Sequence, residues 1–468
     1  MADIKTNRYE ISYRETAKGG PGGYESVYLT SEADPANEEL YSLIGRMDGR
    51  LLPAEQKVLR QRNVATLVQA IQEGKNSGIA SGFKPSGAYH FGHKLASSTV
   101  AFFQKNGFQI FMPVADLECM LDRKISKEQY MYWAADNLLD WGANGVDLDA
   151  THAYLQSEEH RVSNLAYLLA RGLSFDLAVD TYGIEKLCGN PNKEGDKGEF
   201  PFLFAGITQV GDIILPQHYD FGNGHSFMVS GQDQDGHMKM TVELAKRALE
   251  SGISLPGIST IPSGLYIPHI RGIVGKASSS KPETTIYLGS GPQRFELEDR
   301  IKDARQKLER ALQDPNMKRN INLAALDMVR YIDFFNQIGT VNFAETLENM
   351  PSSLKNKINE EQNGETKSAL IDEYLMSECE RVGQDNISLV KDSLPEALKE
   401  HQRKRAIVLS YATTKKDYRD PGAWSMDDAR PEKPSFWKVP EKAVVDVAKR
   451  KGTCWEDLVV SMKDKIIP

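Results

Sequence analysis

The chain has 468 residues, of which 40% are hydrophobic and 26% charged, and its formal net charge is −8. This length accommodates two or three domains with a sizeable core. No run of 18 apolar residues occurs, so no membrane span is expected, and the polar start MADIKTNRYE lacks the apolar core of a secretory signal. Four scattered cysteines without a CxxC pair predict reduced thiols in a cytoplasmic protein.

The first 75 residues predict an N-terminal arm followed by a helical appendage. Residues 1 to 35 are polar and contain the run GGPGG, a composition typical of a loosely docked arm. From 36 to 75 the pattern is helical, because Val64, Leu67, Val68 and Ile71 share one helix face.

Residues 76–290 alternate between strand and helix patterns. Short apolar segments predict strands at 78–81, 108–112, 152–155 and 226–229, with Pro113 at the end of the second. Periodic segments predict helices from the turn at 90 to about 106 and at 126–143, 159–172, 201–214 and 234–251. This alternation predicts an α/β domain, a Rossmann-like, doubly wound parallel sheet with helices on both faces.

Beyond residue 290 the strand patterns stop. Helices are predicted at 292–313, 322–337, 367–382 and 387–410, with a charged surface loop at 356–367, giving an all-helical domain at 291–410. Residues 411–468 carry several prolines and a short predicted helix near 441–451, and they are interpreted as a C-terminal extension.

The segment SGFKPSGAYHFGHK, residues 81–94, places His90 and His93 at the start of a helix that follows a strand and a turn. Ligands of doubly wound sheets bind beyond the carboxyl ends of the strands, and a helix N-terminus suits phosphate. Taken alone, the pair fits two structural histidines as well as a phosphate site. A metal pair is less favoured because no HExxH motif or nearby cysteine offers a third ligand.

A second motif, RGIVGKASSSKPETTIYL, covers residues 271–288. Lys276 and Lys281 bracket three serines on a loop preceded by Gly272 and Gly275. Two ammonium groups and three hydroxyls suit a polyphosphate clamp that stabilises a leaving pyrophosphate. A solvated surface loop is the alternative for this motif alone.

Together the two motifs resemble a known family. HFGH at 90–93 is similar to the HIGH signature of class I aminoacyl-tRNA synthetases, and KASSS at 276–280 is similar to their KMSKS signature. Their order, separation and intervening α/β pattern also match. Alanine stands at 277 where methionine is usual, and Ser279 stands in place of the second lysine, whose charge Lys281 is able to supply. The resemblance is clear from about 60 to 290 and thin beyond.

Further segments resemble the tryptophanyl/tyrosyl subgroup, and its archaeal and eukaryotic-like tryptophanyl branch most closely. They are GFKPSGAYHFGHK, TQVGDI at 208–213 and GQDQDGH at 231–237. The resemblance implies tryptophan–tRNA ligase activity with ATP and Mg²⁺, with L-tryptophan and tRNA(Trp) as partners. It also implies an anticodon-binding role for the helical domain, a homodimer, and no resident metal site.

The resemblance implies roles for three groups of residues. The catalytic group acts on phosphate and consists of His90, His93, Lys276 and Lys281. The nucleotide would contact Gly82, Phe83, Gly92, Gln232, Asp233, Ser278, Ser279 and Ser280. Tryptophan would contact Ala80, Glu118, Gln209, Asp212 and Gln234.

Two of these positions bear on the amino acid. Ala80 stands where tyrosyl enzymes usually place a tyrosine, which favours tryptophan, whereas Asp212 is a residue that a tyrosyl enzyme would use. A tyrosyl-tRNA synthetase, a paralogue without aminoacylation and a non-tRNA nucleotidyltransferase remain the alternatives.

Basic residues of the helical domain are candidate contacts for tRNA phosphates, with a merely solvated helix face as the alternative. They are Arg300, Lys302, Arg305, Lys307, Arg310, Arg403, Lys404 and Arg405.

Overall fold

A computed structural model describes most of the chain. The described residues are 33–55, 59–121, 125–183, 187–189, 200–252, 255–272, 277, 285–289, 296–314, 317–361, 364–414 and 455–466. The predicted arm up to residue 32 and the helix predicted near 441–451 lie outside them.

Within the described residues, seven strands form one sheet. They are β1 (Asp34–Pro35), β2 (Arg60–Arg62), β3 (Ser77–Ala80), β4 (Gln109–Val114), β5 (Thr151–Leu155), β6 (His225–Gly231) and β7 (Ser263–Ile267). Their spatial order is β1-β2-β7-β6-β3-β4-β5. The five strands from β7 to β5 are parallel, which confirms the doubly wound prediction, and β2 and β1 add an antiparallel edge.

The strand order reverses at β3. The chain proceeds outward from β3 through β4 to β5, then returns to place β6 on the other side of β3. Ile79 accordingly pairs with Ile110 on one side and Phe227 on the other. A ligand crevice opens where the crossovers diverge, beyond the carboxyl ends of β3 and β6. Ala80 and Gly231 end these two strands.

Ten α-helices accompany the sheet in the described part of the chain. They are α1 (Glu38–Ile44), α2 (Leu52–Glu55), α3 (Val64–Gln72), α4 (Phe91–Lys105), α5 (Asp116–Leu121), α6 (Lys127–Ala143), α7 (His160–Ala170), α8 (Phe175–Tyr182), α9 (Phe202–Ile214) and α10 (Asp235–Glu250). Short 3₁₀ turns occupy Leu215–Gln217 and Gln232–Gln234. Because helices cover both faces, every residue of β3, β5 and β7 is buried.

The continuous helical pattern expected at 36–75 is wrong, because β2 interrupts it. Arg60, Gln61 and Arg62 pair with β7, and the Arg62 guanidinium also binds both carboxylate oxygens of Asp235 at 2.7 and 2.8 Å. A three-residue polar strand carries no hydrophobic signal, so only its tertiary partners specify it. The buried strand β7 was likewise not predicted.

Strand β4 runs one residue past Pro113, which was predicted to end it. Pro113 pairs with Tyr154, and its carbonyl accepts the Phe83 N–H at 3.1 Å, so the missing donor does not end the pairing. The chain crosses this carbonyl closely. A Cβ at Gly82 would lie 1.9 Å from the Pro113 oxygen, so the crossing requires glycine.

From residue 296 onward the described chain is helical, as predicted. The helices are α11 (Leu297–Gln313), α12 (Lys318–Tyr331), α13 (Asp333–Ile338), α14 (Phe343–Glu348), α15 (Ser352–Glu360), α16 (Gly364–Arg381), α17 (Asn386–Thr414) and α18 (Trp455–Ile466). The helix predicted at 322–337 is split at Ile332, and most of the loop predicted at 356–367 is helical, so both predictions were wrong. Helix α15 buries no residue, which explains why its sequence reads as a loop.

The C-terminal helix α18 packs against α6 and α17. Its buried side chains include Trp455, Leu458, Val459 and Met462. Among the described residues, no helix has both the length and the apolar character needed to cross a membrane.

Buried ion pairs join the end of the sheet to the helical region. The Arg271 guanidinium donates to Asp327 at 2.5 and 2.8 Å and to Asp372 at 2.8 Å. Both carboxylates are largely buried. Removing one partner of a buried pair is strongly destabilising, because the remaining charge is left without compensation.

We therefore expect Arg271→Met to lower the free energy of unfolding by about 3–5 kcal/mol. Arg319→Met is the matched control, since Arg319 pairs with Glu373 at 3.5 Å on the exposed surface and such pairs contribute little. Urea unfolding followed by tryptophan fluorescence measures both. Equal effects of the two substitutions would contradict the assignment of Arg271 as a buried link.

Candidate functional site

A cavity of about 450 Å³ lies beyond the carboxyl ends of β3 and β6. Eleven of the predicted site residues line it: Ala80, Gly82, Phe83, His90, Gly92, His93, Glu118, Gln209, Asp212, Asp233 and Gln234. Gln232 is buried but is not among the lining residues. Lys276, Ser278, Ser279, Ser280 and Lys281 lie outside the described residues. The structure thus gathers one motif and the later polar segments around a single space.

The two histidines form the N-terminal cap of α4. His90 is the N-cap residue, and its Nδ1 accepts the Gly92 N–H at 3.1 Å. The Nδ1 of His93 accepts the His90 N–H at 3.3 Å, and the two rings stack with centroids 3.9 Å apart. Because both Nδ1 atoms accept, each neutral ring carries its proton on Nε2.

Gly92 makes this stacked arrangement possible. A Cβ at this position would lie 2.9 Å from Cε1 of His90 and displace the ring. The structural role that the sequence left open is therefore present. It does not exclude ligand binding, because both rings also form part of the cavity wall. Nor do the histidines join a metal cluster in the part of the chain that is described.

Asp212 lies buried in the cavity wall between two donors. Its oxygens accept from the Tyr154 hydroxyl at 2.8 Å and from Nε2 of Gln156 at 2.6 Å. Burial removes water from the carboxyl group and raises its pKa to about 7, although the two hydrogen bonds oppose the shift. Asp212 therefore changes its charge near neutral pH.

The other predicted amino-acid contacts cluster around Asp212's helix and β6. Gln209 donates through Nε2 to Oε1 of Gln234 at 3.1 Å. Glu118 lies 3.3 Å from the Lys84 ammonium, and both side chains are partly exposed. The cavity wall therefore combines polar and charged side chains with the apolar Ala80 and Met228.

The lining residues that were not predicted from the sequence include Lys84, Gln156 and His269. Gln156 directly follows the predicted strand at 152–155, so its position at the ligand edge of the sheet was a usable signal. His269 follows β7, which the sequence pattern did not reveal, and its Nε2 lies 3.2 Å from Oδ1 of Asp233. Lys84 belongs to the first motif but was not singled out.

Ala277 is the described member of the second motif's KASSS segment. It is buried, and its N–H donates to the Ile270 carbonyl at 3.2 Å. Ala277 also borders an apolar cavity of about 30 Å³ lined by residues such as Phe91 and Met328. The small Ala277 side chain therefore leaves this apolar cavity unfilled.

Two of the basic residues predicted to contact tRNA point inward instead. Arg300 donates to the carbonyls of Leu288 and Gly289, and Arg405 is buried against Asp140. These two predictions were wrong, because a buried guanidinium held by protein acceptors is not available to phosphate. Lys302, Arg305, Arg310 and Arg403 are exposed.

Comparison with known proteins adds independent information. The model of the family described as tRNA synthetases class I (W and Y) matches residues 72–183 and 203–373. The chain is 34% identical over 236 residues to the tryptophan–tRNA ligase of Methanocaldococcus jannaschii, a match covering 49% of this chain and 60% of that protein. For Methanopyrus kandleri the identity is 32% over 241 residues, covering 50% and 59%. The chain thus matches about 60% of the length of these relatives.

Solved structures share the fold. A tryptophanyl-tRNA synthetase from Aeropyrum pernix K1 has a TM-score of 0.53 at 23% identity, covering 79% of this chain and 90% of that chain. One from Encephalitozoon cuniculi, bound to tryptophan, has a TM-score of 0.55 at 16% identity, covering 82% and 96%. With the family model matching more than half of the residues, this chain belongs to the class I tRNA synthetases of the tryptophan and tyrosine (W and Y) family.

Proposed function

We propose that this chain is a tryptophan–tRNA ligase of the cytoplasm. It would activate L-tryptophan with ATP to tryptophanyl-adenylate and transfer the aminoacyl group to tRNA(Trp). One observation carries the proposal. A single cavity at the strand-order reversal has the capped His90–His93 pair in its wall together with Gln209, Asp212 and Gln234. The names of the relatives described above agree with it.

In the first step a tryptophan carboxylate oxygen would attack the α-phosphorus of ATP. A new P–O bond forms, the bond to the β-phosphate oxygen breaks, and pyrophosphate leaves with the electron pair. Protein groups contribute mainly by positioning and charge stabilisation. His90 and His93 would donate from Nε2 to phosphate at the start of α4, where the helix dipole also favours negative charge. Gly82, Phe83 and Gly92 line the same cavity and would contact the nucleotide.

The resemblance of the second motif assigns the leaving group to Lys276 and Lys281, with Ser278, Ser279 and Ser280 beside them. Lysine ammonium groups suit this role because negative charge grows on pyrophosphate as it departs. In the second step the 3′-terminal hydroxyl of the tRNA takes the aminoacyl group, and AMP leaves.

Mg²⁺ fits this site as a companion of the polyphosphate. It prefers oxygen ligands and is commonly held by one or two carboxylates together with substrate phosphates. Asp233, a partly exposed carboxylate in the cavity wall, is a suitable protein ligand. When bound, Mg²⁺ would neutralise phosphate charge.

Tryptophan is favoured over tyrosine by the chemistry of the wall. A tyrosine pocket must satisfy the phenol with a dedicated polar partner, and Ala80 offers none. Each Asp212 oxygen accepts one hydrogen bond from the protein and keeps a further lone pair for the amino-acid ammonium. We therefore assign Asp212, Gln209, Gln234 and Glu118 to the polar groups of tryptophan.

The remaining parts of the chain receive coarser roles. The helical domain at 291–410 would bind the anticodon loop, where unpaired bases offer stacking and base edges, with exposed Lys302, Arg305 and Arg310 near phosphates. The arm and appendage at 1–75, the catalytic domain at 76–290 and the extension at 411–468 complete the proposed organisation.

A homodimer is part of the proposal. Large apolar side chains are exposed on α9 and on the helices α5 and α7 that contact it. They are Met120, Leu121, Tyr167 and Phe204. Large apolar side chains exposed on helices that contact one another are typical of protein interfaces, and a second copy of the chain is the partner that the resemblance implies.

The first test is ATP–pyrophosphate exchange measured separately with tryptophan and tyrosine. We expect exchange with tryptophan. With tyrosine we expect a catalytic efficiency lower by about a hundredfold or more, because the pocket offers no dedicated polar partner for the phenol hydroxyl. Exchange with tyrosine alone would overturn the specificity, and exchange with neither amino acid would favour the inactive paralogue.

The second test separates the two roles of His93. In His93→Asn, the amide oxygen replaces Nδ1 as the acceptor for the His90 N–H, while the Nε2 edge is lost. We expect the activation rate to fall about 10²-fold with little change in melting temperature. His93→Gln, which places its amide near the Nε2 position, serves as the partial rescue. Rates close to wild type for His93→Asn would show that the histidine is only structural.

The third test uses the pKa of Asp212. Because the folded-state pKa is raised to about 7, the carboxyl group is protonated at pH 6 and ionised at pH 8. An ionised carboxylate attracts the tryptophan ammonium, so KM for tryptophan should fall on the order of tenfold between pH 6 and 8. In Asp212→Asn the profile should be flat. An unchanged profile in this variant would assign the titration to another group.

A further inference from the structure

Tyr89 connects the first motif to the helical region. Its ring is fully buried, next to His93 with centroids 5.3 Å apart and next to His401 of α17 at 6.1 Å. The planes of Tyr89 and His401 are within 9° of parallel. One ring therefore contacts both a cavity-lining histidine and a histidine more than 300 positions later in the chain.

The Tyr89 hydroxyl is held from two sides. The Asn144 amide donates to it at 2.5 Å, and it lies 2.5 Å from Oγ of Ser97, which itself donates to the Lys94 carbonyl at 3.1 Å. The hydroxyl therefore donates to Ser97. Because both ends of this hydrogen-bond series lie in α4 or at the end of α6, the tyrosine is fixed relative to the catalytic domain.

His401 is oriented by a buried ion pair between domains. Its Nε2 donates to Oδ1 of Asp140 at 2.8 Å, and the other Asp140 oxygen accepts from Arg405 at 2.7 Å. Arg405 also binds Asp136. Burial lowers the pKa of His401 despite the neighbouring carboxylate, so the imidazole is neutral near pH 7.

The last residue of the second motif, Leu288, and the following Gly289 meet the same cluster. The Leu288 N–H donates to the Tyr89 carbonyl at 3.0 Å, and Arg300 donates to the Leu288 carbonyl at 3.0 Å. A Cβ at Gly289 would lie 2.6 Å from an Asp140 oxygen, so this glycine packs directly on the ion pair. The helical region therefore holds the backbone of Tyr89 as well as the Tyr89 ring.

We propose that His401 is a positioning residue for the activation reaction. It fixes the Tyr89 ring, which in turn fixes the orientation of His93 towards ATP phosphate. The inference rests on the proposed function, and it adds a contribution from α17 to chemistry that takes place in the α/β domain. A misplacement of about 1 Å at a reacting group is enough to lower a rate substantially.

The test is a double-mutant cycle in tryptophan-dependent ATP–pyrophosphate exchange. His401→Gln keeps a donor for Asp140 but removes the ring from Tyr89, and His401→Ala removes both. We expect kcat to fall about tenfold in each, with KM for tryptophan unchanged. In the His93→Asn background the same substitutions should lower kcat less than about twofold, because the positioned group is already absent. The matched control, Lys399→Ala, alters an exposed side chain of the same helix and should match wild type.

Two outcomes overturn the proposal. One is an equal loss of kcat in both backgrounds, which would show a general structural effect independent of His93. The other is a wild-type kcat in both single variants, His401→Gln and His401→Ala. The melting temperature of each variant shows whether it folds. If His401→Ala fails to fold, His401→Gln remains as the comparison, because it preserves the hydrogen bond to Asp140.

Failure of the proposed function is distinguishable from failure of this inference. If the wild-type chain supports exchange with neither amino acid, calorimetric titration with ATP and Mg²⁺ replaces the kinetic readout. Weaker ATP binding in His401→Gln that disappears in the His93→Asn background still supports the positioning role. Equal weakening in both backgrounds, or no weakening, overturns it.

Discussion

The site depends on the two-sided pairing of β3. Because β3 hydrogen-bonds to β4 on one side and β6 on the other, the crossovers leave in opposite directions and cannot close the space beyond Ala80. The chain leaving β3 then crosses the Pro113 carbonyl, where only glycine fits at 82. This path delivers His90 to the start of α4 at the edge of the cavity.

In the proposed function, capping and ligand binding are combined in one pair of side chains. A helix N-terminus needs acceptors for its free N–H groups, and His90 and His93 satisfy two of them through Nδ1. The interaction fixes each ring and its tautomer before any ligand arrives. Preorganised donors are effective in catalysis because they do not have to reorient as charge develops. The structural and functional interpretations of these histidines therefore describe the same arrangement.

Buried arginines join the helical region to segments next to the site. Arg271, Arg300 and Arg405 each bind acceptors across the boundary between the sheet and the helices, and all three are largely shielded from water. For the ion pairs of Arg271 and Arg405, desolvation offsets much of the attraction, whereas loss of one partner leaves an uncompensated buried charge. Their contacts lie at the two ends of the second motif, at Arg271 and Leu288, and at the adjacent Gly289.

Sequence patterns located those elements whose signal is local. Alternating apolar segments identified β3 to β6, the two signature motifs identified the family, and eleven of the predicted site residues line the cavity. The sequence patterns did not predict the edge strand β2 or the exposed helix α15. A polar strand is specified by its partner, and a helix without buried residues lacks a hydrophobic stripe. Arg300 and Arg405 look like surface charges in the sequence because their acceptors are distant in the chain.

The sequence by itself determined the fold class, the two signature motifs and the residue types of the candidate site, since these depend on local periodicity and on short segments. Only the tertiary structure decided that His90 and His93 cap α4, that burial brings the pKa of Asp212 to about 7, and that Tyr89 lies against His401. The physical reason is that burial, stacking and ion pairing depend on which side chains meet in space. Residues 89 and 401 meet only after the whole chain has folded.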